Sequence, residues 1–145
     1  MTMAEAHASK PPRLFKSEFT IEFGDCDEAG LVFYPNYFYW FDCAFQRMLR
    51  ERGLSQRELR SRFGAVTPIV DVGARFRAPA RYDDVLASEA SVETWEARRV
   101  RISYRLLVRG TLVADGFEVR AWAVPDGAGG IKGAAIPAEF RDLLA

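Results

Sequence analysis

Three carboxylates, Asp25, Asp27 and Glu28, stand between Gly24 and Gly30, directly ahead of the aromatic run Phe33-Tyr34-Pro35-Asn36-Tyr37. A carboxylate in a glycine-flanked loop can attack an activated carbonyl, or take a proton from the water that does. The one histidine, His7, lies in an N-terminal stretch without apolar periodicity. A Ser-His or Cys-His triad is therefore excluded as the working machinery, and a histidine-ligated metal site is not expected. Cys26 sits between two aspartates that disfavour its thiolate, so it is not read as a nucleophile. Carboxylates and backbone dipoles are left to carry any reaction.

The loop must be positioned by what flanks it. Phe15, Phe19, Ile21 and Phe23 are mostly spaced by two, which predicts a strand over 15–23 with one buried face. Gly24 to Gly30 breaks that period. Pro35 suits the first turn of a helix, and no breaker follows until Gly53. Within Asn36 to Arg52, Tyr37, Phe38, Phe41, Ala44, Phe45, Met48 and Leu49 recur at helical spacing, with Trp40 and Cys43 widening the stripe. A helix that apolar is buried. Ser55 can cap a short helix over Gln56 to Phe63 that ends at Gly64.

Beyond Gly64 the period changes to that of strands. Four are expected: Ala65 to Phe76, Val85 to Trp95, Val100 to Val108 and Thr111 to Val124. Arg109-Gly110 is a tight-hairpin signal. Asp126 to Gly133 reads as a glycine-rich loop and Pro137 to Leu144 as a closing helix. The order predicts an α+β fold, a five-stranded, mostly antiparallel sheet wrapped on one long buried helix. Its exposed edges need cover, and pairing with a second copy is the simplest device.

A length of 145 residues suggests a single domain over 14–145 after a disordered tail, 1–13. Hydrophobic content of 49% and charged content of 28% fit a globular chain rather than a disordered one. Zero net charge gives no field for nucleic acid or an anionic membrane. Residues 1–12 lack the apolar core of a signal peptide, and no run approaches the ~18 apolar residues of a membrane span. With two cysteines, Cys26 and Cys43, and no secretory signal, a reducing, cytoplasmic setting is expected.

The run Gly24-Asp25-Cys26-Asp27-Glu28-Ala29-Gly30-Leu31-Val32-Phe33-Tyr34-Pro35-Asn36-Tyr37, followed by Trp40 and Asp42, resembles the 4-hydroxybenzoyl-CoA thioesterase family of hotdog-fold acyl-CoA thioesterases. Thr67-Pro68-Ile69-Val70 and Tyr82-Asp83-Asp84-Val85 resemble it too, so the likeness runs from about Phe19 to Phe140. Glu28 departs from the pattern, where aromatic-acyl members carry proline.

The resemblance implies an aromatic acyl-CoA, of benzoyl or hydroxybenzoyl type, as substrate and no cofactor or metal. It implies homodimers assembled into a homotetramer, with sites between subunits. Asp27 would be the nucleophile or general base. On the loop alone, an aspartate that merely caps a turn is the competing account. The backbone N–H of Tyr34, with Phe33, would hold the oxyanion at the helix start, where free N–H groups favour negative charge. Phe33 and Gly30 would border the substrate. Asp25 is expected to fix the loop by accepting backbone N–H bonds. Asp42, a charge on a buried helix, must be paired. Either it binds an arginine, or it accepts a hydrogen bond from a hydroxyl or amino group on an aromatic acid. Arg98, Arg99 and Arg101 would meet the phosphates of CoA, or else form a solvated strand face. Thr67 is a candidate contact at a strand start, with a structural role as the alternative.

Three rivals remain. A hydratase or dehydratase of thioesters would need a histidine base. A thioesterase for aliphatic acyl-CoA or acyl carrier protein would suit a pocket less aromatic than Tyr37, Phe38, Trp40 and Phe41 imply. A non-catalytic binding module is permitted by fold alone.

Overall fold

The computed structural model describes residues 11–145. His7 and most of the expected tail lie outside them. The elements in chain order are β1 (Phe15–Thr20), α1 (Pro35–Glu51), α2 (Gln56–Phe63), β2 (Ile69–Phe76), β3 (Val85–Trp95), β4 (Arg99–Val108), β5 (Thr111–Ala121), β6 (Ala123–Pro125), β7 (Ile131–Gly133) and α3 (Ala138–Leu144). Strands β1 to β5 form one antiparallel sheet in the order β1-β3-β4-β5-β2, and β6 pairs with β7. The expected α+β sheet on a long helix is what the chain adopts.

Helix α1 begins with Pro35, whose missing N–H falls where no intrahelical partner exists. It buries Tyr37, Trp40, Phe41, Ala44, Phe45, Met48 and Leu49. Each large apolar side chain so buried is worth about 1.5–3 kcal/mol over leaving it exposed. Phe41 stacks on Tyr104 of β4, with centroids 4.8 Å apart and planes 9° from parallel. The helix comes this close because β5 carries Gly116: a Cβ there would meet the Phe41 ring at 2.6 Å and the Gly73 carbonyl at 2.4 Å. A second cluster joins α2 and α3 to the sheet, with Trp122 4.7 Å from Phe140 and 5.6 Å from Phe63.

Several boundaries differ from expectation, and the strand expected over Thr111 to Val124 divides into β5, which ends at Ala121, and β6, which pairs in a separate sheet. The first strand stops at Thr20, because Phe23–Asp25 turn into a 3-10 helix and Phe23 points to solvent. Residues 65–68 precede β2 as a separate segment, held by a bridge between Val66 and Ala123. Part of the expected 126–133 loop is the β6–β7 hairpin. The Ser55 cap and the Gly64 stop of α2 form as expected: the Ser55 hydroxyl accepts from the Glu58 N–H at 3.3 Å, and Gly64 is left-handed. Arg109 and Gly110, at φ 49° and 77°, make the tight β4–β5 turn.

Candidate active site

The loop between β1 and α1 is a locally closed structure. Asp27 Oδ1 accepts from the N–H groups of Ala29 at 2.9 Å and Leu31 at 3.3 Å. The Asp27 N–H donates to the Leu31 carbonyl at 2.8 Å, and that of Gly30 to the Asp27 carbonyl at 2.9 Å. Gly30 takes φ 78°, which L side chains disfavour. One carboxylate oxygen therefore holds the turn. The other, Oδ2, has no hydrogen-bond partner among the described residues, and the side chain is exposed.

Asp25 ties this loop to the helix. Its Oδ2 accepts from the Glu22 N–H at 2.9 Å, and its carbonyl accepts from the Phe33 N–H at 2.9 Å and from Asn36 Nδ2 at 2.8 Å. The N–H of Phe33 is thus occupied and does not join an oxyanion pair. Asn36 and Tyr37 send their N–H groups back to the carbonyls of Phe33 and Tyr34, at 3.0 and 3.2 Å, and Pro35 has none. The N–H of Tyr34 is left without a partner among the described residues. Its ring is exposed, beside Phe33 and Phe76.

Eight residues further along, ~12 Å of helical rise, Asp42 meets the sheet. Its Oδ1 accepts from Arg120 Nη2 at 2.8 Å and from Gln46 Nε2 at 3.1 Å. The arginine partner expected on structural grounds is therefore present and comes from β5. Arg120 Nε donates to Glu118 Oε1 at 2.9 Å, and Nη1 to the Thr67 carbonyl at 3.0 Å. Tyr104 donates its hydroxyl to the same Glu118 oxygen at 2.5 Å. Thr67 is buried, and its carbonyl has a structural role in this network. Burial pushes the Glu118 carboxyl up from its ordinary value, with Arg120 and Tyr104 opposing the shift. It pushes the Tyr104 phenol well up, and Glu118 adds to that.

Arg98, Arg99 and Arg101 are not one cluster. Arg101 is paired with Glu93 at 3.0 Å and lies 3.8 Å over the Phe117 ring. It lines an open depression of about 530 Å³ together with Arg75, Arg77 and Arg105. Arg98 and Arg99 are exposed at the β3–β4 turn. The Asp27 loop is held at the other end of β3, where Ile21 and Asp83 bond across and Leu31 bridges Arg81. Eleven strand residues separate those ends, ~33 Å. One chain does not bring these arginines to its own Asp27.

Glu118 and Arg120 are not singled out by the sequence alone. Strand alternation contained the signal, since both share a face with Gly116 and Ala114, but Phe117 and Val119 on the opposite face are the more apolar pair. Among the described residues no group of three acidic, cysteine or histidine side chains is placed to hold a metal ion.

A helix start with one free N–H beside a loop with one free carboxylate oxygen can act on a carbonyl. Comparison with known proteins gives the class of the reaction. Residues 21–144 match the model of the thioesterase-like superfamily. The 4-hydroxybenzoyl-CoA thioesterase of Pseudomonas sp. (strain CBS-3) is 37% identical over 131 residues, covering 85% of this chain and 92% of that protein. A variant of 4-hydroxybenzoyl-CoA thioesterase, solved with 4-hydroxybenzoyl-CoA bound, superposes with a TM-score of 0.85 at 33% identity over 92% of this chain and 99% of that one. A gentisyl-coenzyme A thioesterase gives 0.78 at 31% identity, over 88% and 99%. The chain belongs to the thioesterase-like superfamily and is, by class, a thioester hydrolase.

Proposed function

We propose that this protein hydrolyses an aromatic acyl-CoA, of benzoyl or hydroxybenzoyl type, to the free acid and CoA. The observation that supports this reading is that Asp27 Oδ2 and the Tyr34 N–H, in the short segment leading into α1, each have no hydrogen-bond partner among the described residues. The carboxylate attacks the thioester carbonyl, or takes a proton from the water that does. The Tyr34 N–H holds the developing oxyanion. On the direct route the carbonyl–sulfur bond breaks, CoA leaves as thiolate and is protonated, and water cleaves the mixed anhydride to restore Asp27. These groups need no cofactor.

The substrate class rests on Asp42 and on the relatives. The matched thioesterases are named for 4-hydroxybenzoyl and gentisyl esters, both of which carry ring hydroxyls. Asp42 offers a second free oxygen in the same chain. Phe33, Tyr34 and Phe76 supply exposed aromatic surface near the helix start, and Gly30 shapes the loop beside it.

A homodimer, assembled further to a homotetramer, is the proposed working form. Strand β2 is an edge strand with Ile69, Val70, Val72 and Phe76 exposed, a surface that calls for cover. In such an assembly Arg98 and Arg99 would serve the phosphates of CoA bound at a neighbouring chain's Asp27, because their own is a strand length away. Arg101, already paired with Glu93, contributes least. Cys26 and Cys43 are unpaired, which supports a cytoplasmic setting. No helix among the described residues is long and apolar enough to cross a membrane.

The test is thiol release from benzoyl-, hydroxybenzoyl-, phenylacetyl-, acetyl-, hexanoyl- and palmitoyl-CoA by wild type and Asp27→Asn. Asparagine keeps an Oδ1 acceptor for the turn and removes only the anionic oxygen. Turnover is expected to favour an aromatic ester and to fall about 10²- to 10⁴-fold in the variant. Undiminished turnover by Asp27→Asn would refute the mechanism. A preference for hexanoyl- or palmitoyl-CoA would refute the aromatic substrate alone.

A further inference from the structure

The arrangement around Asp42 is asymmetric. Its Oδ1 receives two donors, Arg120 Nη2 and Gln46 Nε2, while Oδ2 receives none among the described residues. The side chain is 39% exposed, against 5% for Arg120. One oxygen faces the protein and the other is available.

The donors on Oδ1 are themselves held. Gln46 accepts at Oε1 from Gln56 Nε2, 2.9 Å away, which fixes which end of its amide faces Asp42. All three guanidinium nitrogens of Arg120 are engaged, on Glu118, Thr67 and Asp42, and its Cζ lies 3.9 Å from the Phe45 ring centroid. Glu118 is fully buried, with Oε1 taken by Arg120 and Tyr104 and Oε2 unpartnered. A buried carboxylate with a vacant oxygen is costly, and a chain seeking stability alone is served as well by apolar side chains of that volume. What this group accomplishes geometrically is to leave Arg120 one orientation.

We infer that Glu118 and Arg120 are positioning residues that lock the Asp42 carboxylate and present its Oδ2 to a hydroxyl or amino donor on the acyl ring. This rests on the proposed reading of Asp42 as the acceptor for that donor. A flexible aspartate would lose side-chain freedom each time it met the ring, and a clamped one has lost it in folding. Lysine cannot replace the arginine, because one ammonium cannot hold Glu118, Thr67 and Asp42 in a single plane.

The experiment compares kcat/KM for 4-hydroxybenzoyl-CoA with kcat/KM for benzoyl-CoA in wild type, Asp42→Ala, Glu118→Gln, Arg120→Lys and Gln46→Leu. General damage to the fold lowers both esters together and leaves their ratio unmoved. Gln46→Leu lies on the half-buried side of the helix and tests the clamp without disturbing the buried pair. Loss of a hydrogen bond to a charged group predicts a ratio roughly 10- to 100-fold lower in Asp42→Ala. The ratio is expected to fall in the same direction in the three clamp variants, through KM of the hydroxylated ester. If Asp42→Ala lowers the ratio and all three clamp variants retain it, the inference is overturned and the reading of Asp42 stands. If Asp42→Ala itself leaves the ratio unchanged, both are overturned.

Discussion

The backbone N–H of Phe33 donates to the carbonyl of Asp25 at 2.9 Å. That bond locks the aspartate loop onto the start of α1. It also narrows the N–H groups available there to one, because Asn36 and Tyr37 bond inward and Pro35 has no donor. A reaction that needs an oxyanion donor at this point must use Tyr34.

The Tyr34 N–H can be tested without its side chain. Tyr34 has φ −56°, which proline accepts, so Tyr34→Pro removes the donor at a compatible φ. Tyr34→Ala keeps the donor and removes the ring. Thioester hydrolysis is expected to fall about 10²- to 10³-fold in kcat for the proline variant and far less for alanine. Steady-state kinetics on both proteins would decide it, and equal losses would place the effect in the ring.

Gly116 sets the distance between helix and sheet. Gly116→Ala forces a methyl group against the Phe41 ring and the Gly73 carbonyl. Overpacking of this kind costs about 1–3 kcal/mol. A lower midpoint in urea unfolding with an unchanged slope is the expected result.

The β2 edge carries the proposed subunit contact. Val72→Lys places a charge on that exposed strand, as edge strands that resist pairing do. Sedimentation equilibrium is expected to show a smaller species than wild type, with activity reduced alongside. An unchanged mass would remove β2 from the interface.

Glu118 gives stability a pH dependence of definite sign. Its carboxyl is held above the ordinary 4.5 by burial, so the folded state keeps a proton that the unfolded chain releases. The contribution is fully present below 4.5 and is lost as pH rises through the native value. The unfolding free energy of wild type, less that of Glu118→Gln, should decline as pH rises from 4.5 and then level off. Chemical denaturation across that range checks the slope, and a rising difference would reverse the assignment.

Much of this protein was legible before its structure. The bounds of α1 and α2 follow from Pro35, Ser55, Gly64 and an unbroken apolar period. The β4–β5 turn follows from Arg109-Gly110. The candidate loop was visible because its carboxylates, glycines and aromatics stand in consecutive residues, Asp25 to Tyr34. Other features were hidden by competing local signals. Phe23 continues the alternation of β1, yet Asp25 captures the Glu22 N–H and turns the chain away from the sheet. Phe117 and Val119 look like a core face, but they lie opposite α1, and Glu118 and Arg120 lie beneath it.

By itself the sequence determined the elements and the candidate loop between β1 and α1, because caps, turns and apolar periods act over a few neighbouring residues. Tertiary structure alone decided the sheet order, the separation of Arg98 from Asp27 and the partner of Asp42. Arg120 reaches Asp42 across 78 positions of chain. A contact at that distance is set by how sheet and helix pack, and no local pattern specifies which charges meet when they do.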